Sequence, residues 1–396
     1  MYFLRFIFWI SCFFVFYNYA GYAILVYFIN RLKRRPRNQS EQADSDLPTV
    51  TFIVAAYNEE YCIKEKIINS LEQDYPKDKI HFLFVTDGST DDTMDIIRQF
   101  PSIELLHSPE RKGKSAALNR AVNTATQEIL VISDANTILN AAATRNIVRH
   151  YQDEKTGGVA GEKKVLTAPA GSNEVGDGEG LYWKYESSLK KLDSDFYSVV
   201  GAAGELFSLR RNLYEAIPHE AILDDFVLSL RVAQKGFRIH YEPDAYAMEL
   251  PSFSLKDEQK RKVRIAAGGF QSIGMLAPLL AFWKTPRLSF LYISHRVLRW
   301  TLSPLCMILA FLSNAILCLT TDSWLFKALF IAQVGFYLVG SLAALSPSIQ
   351  KGSKIAKLAY YFIFMNVSVV WGFFRFIRRR QASTWEKARR VETDLV

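Results

Sequence analysis

Three apolar, strand-type runs in the middle of the chain each stop abruptly at a carboxylate. No other feature limits the possible folds as strongly. Residues 51–56 run into Tyr57-Asn58-Glu59-Glu60, residues 80–86 end at Asp87, and residues 128–133 end at Asp134. Segments with helical spacing lie between and after them, over 61–73, 94–100 and 115–125. Strands alternating with helices predict an α/β fold with a parallel sheet. The carboxyl edge of such a sheet is where ligands bind, and here that edge carries three acids. Gly88 permits a tight turn after Asp87, and Ser89, Thr90, Asp91 and Asp92 are helix-start residues. One strand-end acid taken alone reads as structural; its recurrence at three strand ends reads as chemistry.

The chain is 396 residues long, and its apolar residues are unevenly spread. From Phe3 to Asn30 the sequence is almost wholly apolar and aromatic, longer than the roughly 20 residues that span a bilayer, so 1–31 is expected as an N-terminal transmembrane helix. The stretch is too long for a signal peptide, and no small-residue cleavage site follows, so a retained anchor is expected. Arg31, Lys33, Arg34, Arg35 and Arg37 follow it, against a single Arg5 before it. That bias predicts an outside amino terminus and a cytoplasmic domain next. Residues 32–48 read as a basic and polar linker, 49–251 as the soluble domain, and 252–300 as interfacial amphipathic helices. Residues 301–377 hold spanning candidates at 301–320, 324–345 and 355–376, and 378–396 form a basic tail.

The net charge of +8 gathers beside the apolar runs. It therefore predicts contact with membrane lipids, and no nucleic acid is expected as a partner. The four cysteines show neither disulfide nor metal-ligand spacing. The last span poses a conflict. Three spans after a cytoplasmic domain put Arg378, Arg379 and Arg380 outside, where the positive-inside rule prefers them inside. A re-entrant or interfacial final segment would resolve it, and both arrangements stay open.

Val54-Ala55-Ala56-Tyr57-Asn58-Glu59, Asp87-Gly88-Ser89-Thr90-Asp91-Asp92-Thr93, Gly113-Lys114-Ser115-Ala116-Ala117-Leu118-Asn119 and Asp134-Ala135-Asn136-Thr137 occur in that order. Together they resemble the nucleotide-sugar half of the family-2 glycosyltransferases, in the group of poly-N-acetylglucosamine, hyaluronan and cellulose synthases. The resemblance implies a nucleotide-sugar-binding, GT-A-like Rossmann-type domain with transmembrane and interfacial helices. It implies a nucleotide-diphosphate sugar donor, a UDP-sugar, contacted by Ala56, Tyr57, Glu59, Asp87, Lys114 and Asp134. Arg111-Lys112-Gly113-Lys114 opens onto a helix, which suits an anion, although such a turn can also be merely solvated. Where the family has Asp-x-Asp, this chain has Asp134-Ala135-Asn136. Asp134 and Asn136 are thus the implied ligands of a divalent cation, Mg²⁺ or Mn²⁺. An amide oxygen can serve a hard cation, but it brings no charge.

Residues 199–211 resemble the segment that lines the acceptor channel, and Gly204 there allows close backbone approach. A buried strand needing small residues is the competing reading. Leu223-Asp224-Asp225 stands where the family carries its acidic pair, so Asp225 is implied as the general base. Two acids at a helix start can also be plain capping. Polymer-forming members carry Gln-x-x-Arg-Trp next. This chain has Arg261-Lys262-Val263-Arg264-Ile265, which keeps only the Arg and loses the stacking Trp. Arg261 and Arg264 would neutralise the diphosphate, and Trp385 in the tail resembles a second Trp motif of those members. The expectation is an inverting membrane glycosyltransferase acting on a lipid-linked or polysaccharide acceptor for envelope or exopolysaccharide synthesis. A processive synthase that exports its product is the alternative. A nucleotide-sugar-binding scaffold without turnover is the reading from another class.

Overall fold

A computed structural model describes residues 1–33, 43–166, 175–250, 254–346, 349 and 353–378. Its centre is one eight-stranded sheet in the order β3-β2-β1-β4-β7-β6-β8-β5. The strands are β1 (Val50–Ala56), β2 (Ile80–Asp87), β3 (Ile103–Ser108), β4 (Ile129–Asp134), β5 (Ile138–Leu139), β6 (Thr156–Val165), β7 (Leu206–Arg210) and β8 (Arg238–Glu249). β3, β2, β1 and β4 are mutually parallel, as the strand and helix alternation predicts. The other half corrects that expectation. β7 runs antiparallel to both β4 and β6, and β5 runs antiparallel to β8, so the sheet is mixed.

The period-2 pattern of β1 explains the layers. Phe52, Val54 and Ala56 face one core with Phe82, Phe84 and the helix Ile63–Leu71. Ile53 and Ala55 face the other, with Leu83, Val85 and the helices Lys114–Thr124 and Asp224–Gln234. β1 lies between β2, which follows it in the chain, and β4, which comes later. Chain order reverses direction there, and ligands of α/β sheets bind outside the strand ends at that kind of point.

The second core does not stop at the sheet. It continues through Leu189, Leu288, Leu291 and Tyr292 to Tyr22 and Val26 of the first helix. Polar contacts tie the same parts together. Tyr22 Oη donates to Asp193 at 2.5 Å, and Asn30 donates to the Leu192 carbonyl at 2.8 Å. Among the described residues four helices are long and apolar enough to cross a membrane: Tyr2–Lys33, Leu302–Thr320, Trp324–Leu345 and Lys354–Ile377. The last is unbroken over 24 residues, which gives no support to a re-entrant form. A long helix, Val175–Phe196, packs beside the sheet, and residues 167–174 before it lie outside the described residues.

Candidate active site

Gly204 marks where the chemistry converges. A Cβ built on it would lie 2.9 Å from Lys114 Nζ, 3.3 Å from Asp225 Oδ2 and 3.8 Å from Asp134 Oδ1. Each group arrives there for a local reason. Asp134 closes β4 as the strand ends. Lys114 opens the helix Lys114–Thr124 directly after Gly113, whose φ of +94° suits glycine. Asp225 sits in the first turn of Asp224–Gln234, where its Oδ1 accepts the Phe226 N–H at 2.8 Å. Capping and proximity to the other acids therefore coexist at Asp225. Gly201, three residues before Gly204, has φ +84°, and a Cβ on it would meet the Phe226 ring at 2.0 Å.

The electrostatics follow from burial. Burial raises the pKa of Asp225, and Asp224 adds to this; against partial relief from Lys114 it is pushed up to about 7. That value suits a group that must accept a proton near neutrality. Burial alone would depress the Lys114 ammonium, but Asp134, Asp224 and Asp225 outweigh it and hold it above its ordinary value. Burial also raises Asp134, although Lys114 pairs with it at 2.5 Å.

Asp134, Lys114, Gly204, Asp225, Arg261 and Arg264 all line one cavity of about 810 Å³. Ala56, Tyr57, Asp87 and Lys114 line a second, smaller hollow, so Lys114 stands between the two. The Arg111 guanidinium lies 3.9 Å from the Tyr57 ring centre and helps fill this hollow to about 10 Å³. That is room for about one water.

Asp87, buried at 4% exposure, spends its carboxylate on the basic loop. Its Oδ2 accepts the N–H groups of Lys112 at 2.9 Å and Gly113 at 2.5 Å, and Arg120 bonds Oδ1 at 3.2 Å. Glu59 departs from expectation. It is buried, its Oε2 accepts the Cys62 thiol at 3.6 Å, and it lines neither hollow. The turn into the next helix draws it inward, since Cys62 and Ile63 both donate to its carbonyl. Asn136 is half-buried on the turn after β4 and lines neither hollow. Trp385 lies outside the described residues.

Three groups escaped the sequence reading. Lys66 is fully buried beneath the Asp134 turn, where its ammonium donates to Ser133 Oγ at 2.7 Å and the Thr137 carbonyl at 2.9 Å. Burial pushes it down to about 7. Its position on the apolar stripe with Ile63, Ile67 and Ser70 was the available signal. Trp183 and Trp300 both line the large cavity, so it carries indoles although position 265 is Ile. Arg296 and Arg299 line it as well, and Arg296-Val297-Leu298-Arg299-Trp300 repeats the Arg-x-x-Arg spacing of 261–264 and adds the Trp.

For a divalent cation, the residues present offer half a site. Lys114 takes Asp134 Oδ1, leaving the other carboxylate oxygen, while Asn136, two residues on, lines neither hollow. Among the described residues no group of three or more His, Cys, Asp or Glu could hold a metal ion. This donor set fits a cation shared with substrate phosphates, which is how Mg²⁺ is often held, and not one caged by protein alone.

Comparison with known proteins agrees with this geometry. Residues 48–268 match the family described as glycosyltransferase like family 2. Poly-beta-1,6-N-acetyl-D-glucosamine synthases of Staphylococcus aureus are 25% identical over 273 residues, covering 67% of this chain and 65% of theirs. The match thus spans just under two thirds of those relatives. The probable glycosyltransferase YdaM of Bacillus subtilis is 26% identical over 56% of each chain. Among solved structures, the mannosyltransferase PcManGT of Pyrobaculum calidifontis, in complex with GDP-Man and Mn²⁺, superposes with a TM-score of 0.70. It covers 94% of this chain and 99% of its own at 22% identity, which establishes the shared GT-A-like fold.

Proposed function

The chain belongs to glycosyltransferase family 2, and from that premise we propose that it moves a sugar from a nucleotide-diphosphate donor, a UDP-sugar, to a hydroxyl of a lipid-linked acceptor, with inversion. The observation that carries the reading is the meeting of Lys114, Asp134 and Asp225 around Gly204, at one end of a cavity that reaches the apolar helices. The acceptor hydroxyl attacks the anomeric carbon from the face opposite the diphosphate. The new C–O bond forms, the bond to the diphosphate oxygen breaks, and its electron pair leaves with the nucleotide. Asp225 takes the hydroxyl proton, and its raised pKa makes it a competent base near neutral pH.

Lys114, Arg261 and Arg264 carry charge suited to the departing diphosphate. Tyr57 and Ala56 edge the hollow proposed for the nucleoside, and Asp87 keeps the Lys112–Gly113 turn in place beside it. Asp134 and Asn136 would hold a divalent cation, Mn²⁺ or Mg²⁺, together with diphosphate oxygens. When bound, that ion neutralises charge on the leaving group. Mn²⁺ in the mannosyltransferase complex supports this reading.

In this reading the protein is a multi-pass membrane enzyme with its catalytic domain in the cytoplasm, as the Arg31 and Lys33 flank favours over Arg5. A second reading, a processive synthase that exports its product, draws support from Trp183 and Trp300 on the cavity wall and from the polymer synthases among its relatives. Product length from purified protein in nanodiscs separates the two. The test of the central claim is Asp225→Asn. Transfer is expected to vanish while nucleotide binding persists, and wild-type turnover in that variant would falsify the base assignment.

A further inference from the structure

The large cavity is amphiphilic. Its lining holds Asp134 and Asp225, and also Phe336, Leu358, Phe362, Met365 and Val369. Those five residues belong to Trp324–Leu345 and Lys354–Ile377, two of the helices apolar enough to cross a membrane. The same wall is rich in cations, and almost all the charges that face it are already matched. Lys114 pairs with Asp134 at 2.5 Å. Arg261 lies 3.7 Å from Glu205 and 3.5 Å from Glu258, and Lys262 lies 3.2 Å from Glu258. Arg296 pairs with Glu186 at 2.9 Å, and Arg299 with the same carboxylate.

Lys190 makes no such ion pair among the described residues. It is 2% exposed and lines the cavity, and its ammonium has no hydrogen bond among the described residues. The Trp183 ring lies 5.7 Å from the ammonium, and Glu162, Glu205 and Glu186 attract it without a hydrogen bond. Glu186 stands one turn before it but is held by the two arginines. A buried ammonium that makes no hydrogen bond costs folding stability even with carboxylates in range, so a fold that keeps one at a cavity wall has a use for it there. Trp183, Glu186 and Lys190 are spaced i, i+3 and i+7 on Val175–Phe196, which puts all three on the face toward the cavity.

We propose that Lys190 is the anchor of a phosphate subsite, and that the acceptor is a phosphate-bearing amphiphile whose tail leaves along Lys354–Ile377. The part of this that concerns the reacting hydroxyl rests on the transferase reading above. In that arrangement the hydroxyl faces Asp225, the phosphate between sugar and lipid meets Lys190, and the apolar chain lies against Leu358, Phe362 and Met365. The phosphate acts as a binding handle and takes no part in bond making. Trp183, flanked by Lys163 at 4.9 Å and Lys262 at 5.5 Å as well as by Lys190, forms the floor of this subsite.

The test is a binding measurement, so it needs no turnover. Full-length protein in amphipol is titrated calorimetrically with dodecyl phosphate, with inorganic phosphate, with neutral dodecyl maltoside, and with UDP and GDP. Wild type is expected to bind dodecyl phosphate well above both inorganic phosphate and the neutral detergent. Lys190→Met is expected to weaken dodecyl phosphate by about tenfold or more, the scale of one charge-assisted hydrogen bond. Lys190→Arg should restore most of it. Nucleotide affinity should be the same in all three proteins, and Lys190→Met should melt no lower than wild type, because it removes a buried charge that makes no hydrogen bond. Unchanged dodecyl phosphate binding in Lys190→Met overturns the proposal. So does an equal loss of nucleotide affinity, which would give Lys190 to the donor diphosphate. Inorganic phosphate binding as tightly as dodecyl phosphate overturns the lipid. Failure of every donor to support transfer would instead strike the transferase reading and leave these binding results standing.

Discussion

If Asp225 is the base, two of its neighbours should move the pH dependence of catalysis in opposite directions. Asp224 raises the Asp225 pKa and Lys114 lowers it. Lys114 Nζ and Asp225 Oδ2 both lie close to the same point above Gly204, which caps their separation at roughly 6 Å. Unit charges at about 6 Å and an effective dielectric of about 20 interact by about 3 kcal/mol, equivalent to about 2 pKa units. Lys114 is shared with Asp134 at 2.5 Å, which spends part of that effect. A shift of about 1 unit is therefore expected from Lys114, and one of opposite sign from Asp224. The base works only when deprotonated, so the rate falls as pH drops through its pKa of about 7. Lys114→Met removes a stabilising cation and should move this acid limb upward. Asp224→Asn removes a repelling anion and should move it downward, extending activity to lower pH. The assay is kcat at saturating donor and acceptor from about pH 5 to 9, followed by nucleotide release. If Lys114→Met turns over too slowly to profile, Asp224→Asn carries the test alone. An acid limb that stays in place in Asp224→Asn, or moves up, refutes the assignment.

Gly204→Ala should keep the fold and lose most of the activity, on the order of tenfold or more, because its methyl would crowd the reacting groups rather than the core. Melting temperature and kcat measured together check this, and a kcat near wild type contradicts it. Glu186→Gln leaves half-buried Arg296 and buried Arg299 without their shared counter-charge, for a loss of about 3 kcal/mol. Chemical unfolding of the detergent-solubilised chain measures it, and an unchanged midpoint would show that the cluster is not structural. Asn136→Asp adds a carboxylate to the shared cation site and should lower the Mn²⁺ concentration needed for half-maximal activity. Chelation with EDTA should abolish turnover and Mn²⁺ restore it; turnover that survives chelation would remove the cation from the reaction.

Much was determined by local pattern alone. Strand runs that stop at Asp87 and Asp134 read directly from the sequence, because alternation and turn chemistry act over a few neighbouring residues. The four helices able to cross a membrane read from it for the same reason, since hydropathy is a property of a continuous segment. The meeting of Asp134 with Asp225 was legible only through the order of the motifs. Packing decided the rest. Glu59 turns inward because the chain around it folds into a helix entry, which no count of acids reveals. The sheet becomes mixed after β4 because pairing partners far apart in the chain set strand direction. Trp300, Arg296 and Arg299 come to the same cavity as Asp225 from well beyond the motif expected at 261–265. Lys190 looks like any lysine on an amphipathic helix until its neighbours are found to be paired with one another. Which charges find partners depends on side chains brought together from distant parts of the chain. Sequence periodicity carries only the face each residue occupies, so the pairing, and the lysine it leaves over, emerge from the tertiary structure alone.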